Sequence, residues 1–214
     1  MSEPEPFTKL FQRVKSQVPS CADALIRQEI SNTLLDFTQD TNIWQETFDM
    51  NVVPTQLIYP LTVTVGTANR LMLVYKDTDP WRRWADNWIT MRVPATIELA
   101  RGMAQNELWH AVIAKATSTP MMTDDTPPVD TGYPEIDEWI VDQFSDTIYY
   151  GTMWFLQRMP AKSFRDPAGA KENSALYGSS KTQAKVQAMR MNVYNGQSWT
   201  YPQSFATISR KGWQ

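Results

Sequence analysis

Apolar residues open the chain at helical spacing, with Phe7, Leu10, Phe11 and Val14 sharing one face before Pro19 stops the pattern. A second helix is predicted to follow. Ser20 is suited to cap it, with Asp23 three places on as a weaker capping box, and Leu25, Ile26, Ile30, Leu34 and Phe37 form one stripe that must be buried. Beyond Asp40 the helical period gives way to the two-residue period of a strand. From Trp44 to Val65 the chain is rich in β-branched and aromatic residues, broken by Pro54 and Pro60. Three further strands are expected, at Leu71 to Tyr75, Trp88 to Arg101 and Glu107 to Ala116. In the second of these, Met91, Val93, Ala95, Ile97 and Leu99 alternate with Arg92, Thr96, Glu98 and Ala100, and Pro94 marks an edge or a bulge. The RGMAQNE stretch has the turn residues of a hairpin leading into the third. Together these strands predict a small antiparallel sheet or sandwich.

The stretch TSTPMMTDDTPPVDTGYP has no period and reads as a loop returning from the β region. Helical spacing then resumes. Pro134 suits a first helical turn, Glu135, Asp137 and Glu138 suit the positive end of the helix dipole, and Ile136, Ile140, Phe144, Ile148, Gly151 and Phe155 predict a helix of about 24 residues ending at Met159 and Pro160. Asp166 caps a last helix with Pro167 in its first position, running through Ala170, Leu176, Tyr177, Ala184 and Ala188 to about Val193. Its contact face is made of small residues. The fold class is therefore α+β: a helical bundle body, 1–43 and 134–193, interrupted by an antiparallel β insertion, 44–133, and followed by an extended C-terminal arm, 194–214. In that arm Trp199, Tyr201, Phe205, Ile208 and Trp213 lie among Ser, Thr, Gln and Gly with no helical stripe, and Arg210 and Lys211 add positive charge. Another chain is expected to supply their pockets, or the arm folds back over an edge of its own sheet.

Composition narrows the function. One cysteine, Cys21, and one histidine, His110, exclude an internal disulfide and a zinc set built from nitrogen and sulfur ligands. The start, MSEPEPFTKL, lacks the basic and apolar regions of a signal peptide, and no apolar run is long enough for a membrane span. A net charge of -3 lacks the basic excess of a duplex-binding domain. No GxGxxG, GxxxxGK[ST] or GxSxG string occurs, so neither a nucleotide cofactor nor a serine triad is expected. His110 lies inside an alternating strand, where a packed or solvent-facing role is expected; Cys21, near a helix start, has some potential for a lowered thiol pKa. Asp124 and Asp125, and the acidic cluster at 135–138, read as loop charge and dipole complement, and the DxDxDG calcium spacing is missing. No catalytic, cofactor or metal residues are assigned, and no enzyme is expected.

Two features remain. Nine Trp, eight Tyr, eight Phe and 11 Met exceed what one small core needs, which fits the buried centre of an interface as well as an aromatic core. The string DPWRRWADNW brackets Arg82 and Arg83 with Trp81, Trp84 and Trp88. Such a platform stacks on sugars or bases, so a carbohydrate or cell-surface binding module is the alternative reading; a loop packing on a neighbouring subunit has the same composition.

The opening VPSCADALIRQEISNTLLDFTQDTNIWQETFD, the β text NVVPTQLIYPLTV and the later YGTMWFLQRMPAKSFRDPAGAKENSALYGSSKTQAKVQA resemble the head-to-tail adaptor, or connector, proteins of short-tailed bacteriophages. The resemblance runs from about residue 7 to about 193, and it departs from the pattern at Ala22, where a second proline is expected. It implies a non-enzymatic ring subunit of the virion, commonly a dodecamer, with the portal above and a tail nozzle or tail tube below. It also implies that double-stranded DNA passes through the lumen without specific binding, for which a mildly negative chain is suited.

Overall fold

A computed structural model describes residues 5–78, 89–92, 96–100, 106–117 and 134–191. Among them are five helices and two antiparallel sheets of three strands each, a mixed α+β chain. Helices α1 (Glu5–Gln17) and α2 (Asp23–Thr41) follow the apolar spacing, and Val14, Ile26, Ile30, Leu34 and Phe37 are fully enclosed. Ser20 does not cap α2. The cap position is Ala22, in extended conformation with no side-chain bond, and the Ser20 hydroxyl meets that of Ser163 at 2.9 Å. Val18 and Cys21 are both drawn into the core, which delays the first helical turn. Lys15 then joins the two helices, its ammonium donating to the Cys21 carbonyl at 2.6 Å and to the Asp23 carboxylate at 2.7 Å.

The strands are β1 (Gln45–Val52), β2 (Ile58–Pro60), β3 (Thr67–Lys76), β4 (Ile89–Arg92), β5 (Thr96–Leu99) and β6 (Glu107–Ala116). They form the sheets β1-β6-β3 and β2-β5-β4. The single strand expected from Trp88 to Arg101 is instead two, β4 and β5, paired antiparallel with Met91 opposite Ile97 and Ile89 opposite Leu99. Pro94 lies in the connection between them. Paired positions differ by an even number of residues, so the alternation of odd-numbered apolar residues passes through the turn without a change of phase. The expected hairpin between this segment and β6 does not form either. β5 lies between β2 and β4, while β6 is the centre of the other sheet, paired along its length with β1 and β3. With Ala111, Ile113, Ala114, Lys115 and Ala116 all buried, β6 is enclosed as a central strand must be.

The helix expected over 134–159 starts later and is interrupted. α3 (Glu138–Gln143) and α4 (Ser145–Gln157) meet at Phe144, with φ -110° and ψ 22°. Asp137 is held extended ahead of α3 because its carboxylate accepts the Trp44 indole N–H at 2.9 Å. Backbone bonds from Phe144 to Ile140 and from Ile148 to Phe144 continue across the irregularity, so the apolar spacing reads through it. Helix α5 (Pro167–Met191) begins as its sequence predicts: the Asp166 carboxylate accepts the N–H groups of Ala168 and Gly169, both at 3.1 Å. Ala170, Tyr177, Ala184 and Ala188 are buried, whereas Leu176 is exposed.

Two apolar clusters result. One joins residues of all five helices with Ile43 and Trp44; the other joins residues of all six strands around Trp109. Where α2, α4 and α5 converge, a Cβ on Gly151 would stand 2.5 Å from the Thr33 methyl and 2.9 Å from the Tyr177 ring. Gly151→Ala is therefore expected to destabilise the fold by about 1–3 kcal/mol, overpacking outweighing the helix propensity that alanine gains. Gly178→Ala, with no neighbour within 4 Å, is expected to stabilise it slightly. Urea unfolding of the two variants checks this, and equal effects would reject it. No helix among the described residues is long and apolar enough to cross a membrane.

Candidate interaction site

Helical and β clusters are joined at the start of β1. Trp44 is fully buried, and Lys115 of β6, only 3% exposed, sets its ammonium 4.3 Å over the Trp44 ring and 3.0 Å from the Glu46 carboxylate. The hydroxyl of Thr64 donates to the same carboxylate at 3.1 Å. Burial raises the Glu46 pKa, but the bonds from Lys115 and Thr64 outweigh it and hold the group below its usual range. Asp40 is lowered in the same way against its burial, by Lys181 and Lys185, and Glu107 by Lys76. Groups with depressed folded pKa contribute stability above their unfolded values, and that stability is lost as pH falls through the folded values. Glu29, raised by burial, has the opposite sign but acts alone. Urea midpoints are therefore expected to fall below about pH 4.5, with a shallower fall in Glu46→Gln. A midpoint that is flat from pH 5 to pH 3 would reject this.

Beside this joint lies a cleft of about 790 Å³. Its walls are the end of α2 at Asp40, the strands β3 and β4, and the last turns of α5 at Lys185 and Met189. β3 and β4 are terminal strands of their sheets, so each turns toward the cleft an edge that carries no strand among the described residues. Leu71, Leu73, Ile89 and Met91 line it. The helical wall is fixed by charge. Lys181 lies 2.8 Å from Asp36 and 2.7 Å from Asp40, Lys185 lies 2.7 Å from Asp40, and the Tyr177 hydroxyl donates to Asp36 at 2.7 Å. Burial, with Asp36 beside it, pushes the Tyr177 phenol far above its usual value; for Lys181 burial opposes the charge, but the two aspartates prevail and its pKa rises. The Asn69 amide ties β3 to this wall, donating to the Gln39 carbonyl at 3.1 Å and to the Asn42 side chain at 3.2 Å.

His110 sits on the other face of β6 from Trp109. Its ring meets the Asp49 carboxylate at 2.8 Å through Nδ1, approaches Asp77 at 3.5 Å through Nε2, and stacks on Tyr75 with centroids 4.9 Å apart. These cross-strand contacts match the packed role expected of it. Cys21 corrects the expectation of a lowered thiol pKa: its side chain is buried, and desolvation raises the thiol despite Lys15 nearby. Asp137 serves Trp44 rather than acting as dipole complement alone. No group of three or more His, Cys, Asp or Glu residues among the described residues is arranged to hold a metal.

Trp81, Arg82, Arg83, Trp84 and Trp88 lie outside the described residues, as do Asp124 and Asp125 and the arm residues Trp199, Tyr201, Phe205, Ile208, Arg210, Lys211 and Trp213. The cleft had no sequence signal, because its walls come from four separated segments whose apolar residues read as ordinary strand and helix faces. The free strand edges were hidden by reading β4 and β5 as one. No protein-family model matches the chain, and no curated protein matches it.

Proposed function

We propose that the chain is a non-enzymatic structural protein of a virion: a ring-forming head-to-tail adaptor joining the portal vertex to the tail. In this reading the helices form a bundle body, the strands a sandwich-like insertion, and residues 194–214 an extended arm that clasps a neighbouring subunit or the portal. Twelve copies enclose a lumen through which double-stranded DNA passes without specific binding. The order of sequence elements from about residue 7 to about 193 supports it.

The observation that carries it structurally is the end of α5. Val186, Met189 and Met191 are 43%, 65% and 55% exposed there, beside a cleft bounded by two sheet edges that carry no further strand among the described residues. An assembly would cover the apolar surface and the strand edges that the described residues leave exposed. Size-exclusion chromatography with light scattering, with and without purified portal protein, tests the reading. A ring, or ring formation on adding the portal, is expected, and a chain that stays monomeric in both conditions sinks it.

A further inference from the structure

We infer that the cleft between β3 and β4 is the seat of the C-terminal segment, residues 192–214, of a second copy of this chain. The inference rests on the ring reading and specifies its subunit contact.

The described chain ends at Met191, two residues past Met189 in the cleft wall, so each subunit releases its segment beside its own cleft. Its 23 residues span at most roughly 80 Å when extended, ample to reach an adjacent copy. Parity decides how such a segment would lie. Of the five large apolar residues of the arm, Trp199, Tyr201, Phe205 and Trp213 are odd-numbered, so in an extended path these four share one face, with Thr200, Pro202, Ser204 and Ile208 on the other. Helical spacing would gather only Tyr201, Phe205 and Ile208 and leave both tryptophans off that stripe. A two-faced strand is what a cleft with Leu71, Leu73, Ile89 and Met91 on its sheet side and Asp40, Asn42, Asn69, Arg70 and Lys185 among its polar lining accommodates: main-chain bonds to β3 or β4, whose outer edges carry no strand among the described residues, hold it, and the aromatic face packs on the apolar part of the lining. An edge position also tolerates Pro202, whose missing N–H faces away from the partner strand. A closed ring needs a heterologous contact, one patch of each subunit meeting a different patch of the next. A segment seated in its own cleft would satisfy its aromatics without joining anything.

The test uses full-length chains, in which the buried Cys21 does not compete for oxidation. Thr90, exposed on β4 at the cleft, becomes cysteine in one protein, and Phe205 becomes cysteine in another. The two are mixed and oxidised, and Met189→Cys replaces Thr90→Cys as a second cleft position in case the first variant misfolds. Disulfide-linked pairs of one Thr90→Cys and one Phe205→Cys chain are expected, with Met189→Cys giving the same product. The double variant Thr90→Cys/Phe205→Cys is then expected to give covalent ladders. An internal disulfide within single chains instead overturns the inference in favour of the chain's own segment. Rings that light scattering detects but that never cross-link overturn it while leaving the adaptor reading intact. A chain that forms no ring with or without portal removes the adaptor reading, and this inference with it.

Discussion

Trp44→Ala is expected to lower the unfolding free energy by about 3–5 kcal/mol, a large part of the roughly 5–15 kcal/mol that holds an ordinary domain together. Three losses coincide at this residue. The indole is fully enclosed in the helical cluster, so its removal leaves a cavity rather than a solvated surface. Its N–H to Asp137 positions the chain entering α3. Its ring faces the Lys115 ammonium, which stays buried with only Glu46 to balance it when the ring is gone. Gly66, at φ +80°, is pressed against the same ring, where an added Cβ would lie 2.8 Å from it. Trp44→Phe fills most of the space but lacks the donor, and it is expected to lose only about 1–2 kcal/mol more than the deleted ring atoms account for. Denaturant unfolding followed by far-UV circular dichroism separates the two variants. If Trp44→Ala unfolds within about 1 kcal/mol of the parent, the joint between the clusters lies elsewhere.

On the ring-adaptor reading, deleting residues 195–214 is expected to do the reverse: to spare the fold and abolish assembly. Among the described residues both apolar clusters are already furnished by helices and strands before residue 192, and the truncated chain is expected to keep its helix and strand content and to melt near the parent when compared as monomers. Attachment to neighbouring copies or the portal is expected to fall at least a hundredfold. That loss corresponds to about 2.8 kcal/mol, which burial of two of the five large apolar residues of the arm would already supply. Circular dichroism, melting and a portal binding assay read the two effects apart. A truncated monomer that melts far below the parent would assign the arm to its own core, and one that assembles normally would leave the arm without a clasping role.

The helices were legible in the sequence because their determinants are local. Ile26, Ile30, Leu34 and Phe37 state the buried face of α2 within three turns, and Asp166 with Pro167 states the start of α5. Ser20 misled because the burial of Cys21, a tertiary effect, overrode a local capping preference. The break at Phe144 was silent because hydrogen bonds and apolar spacing both run through it. Strand existence was legible and strand pairing was not: alternation gives the face a residue takes but carries no record of which strand lies beside it. The cleft depends on that pairing, so its lining residues emerged only with the sheet order.

The place of β6 at the centre of its sheet bears on synthesis at the ribosome. β1 ends at Val52 and β6 begins at Glu107, so 54 residues separate a strand from the neighbour it needs. At translation rates of about 5–20 residues per second, β1 and β3 emerge and wait for seconds before the strand that joins them has been made. For that interval the nascent chain carries β segments without their central partner, and holdase chaperones that shield such segments would act on this half-made sheet.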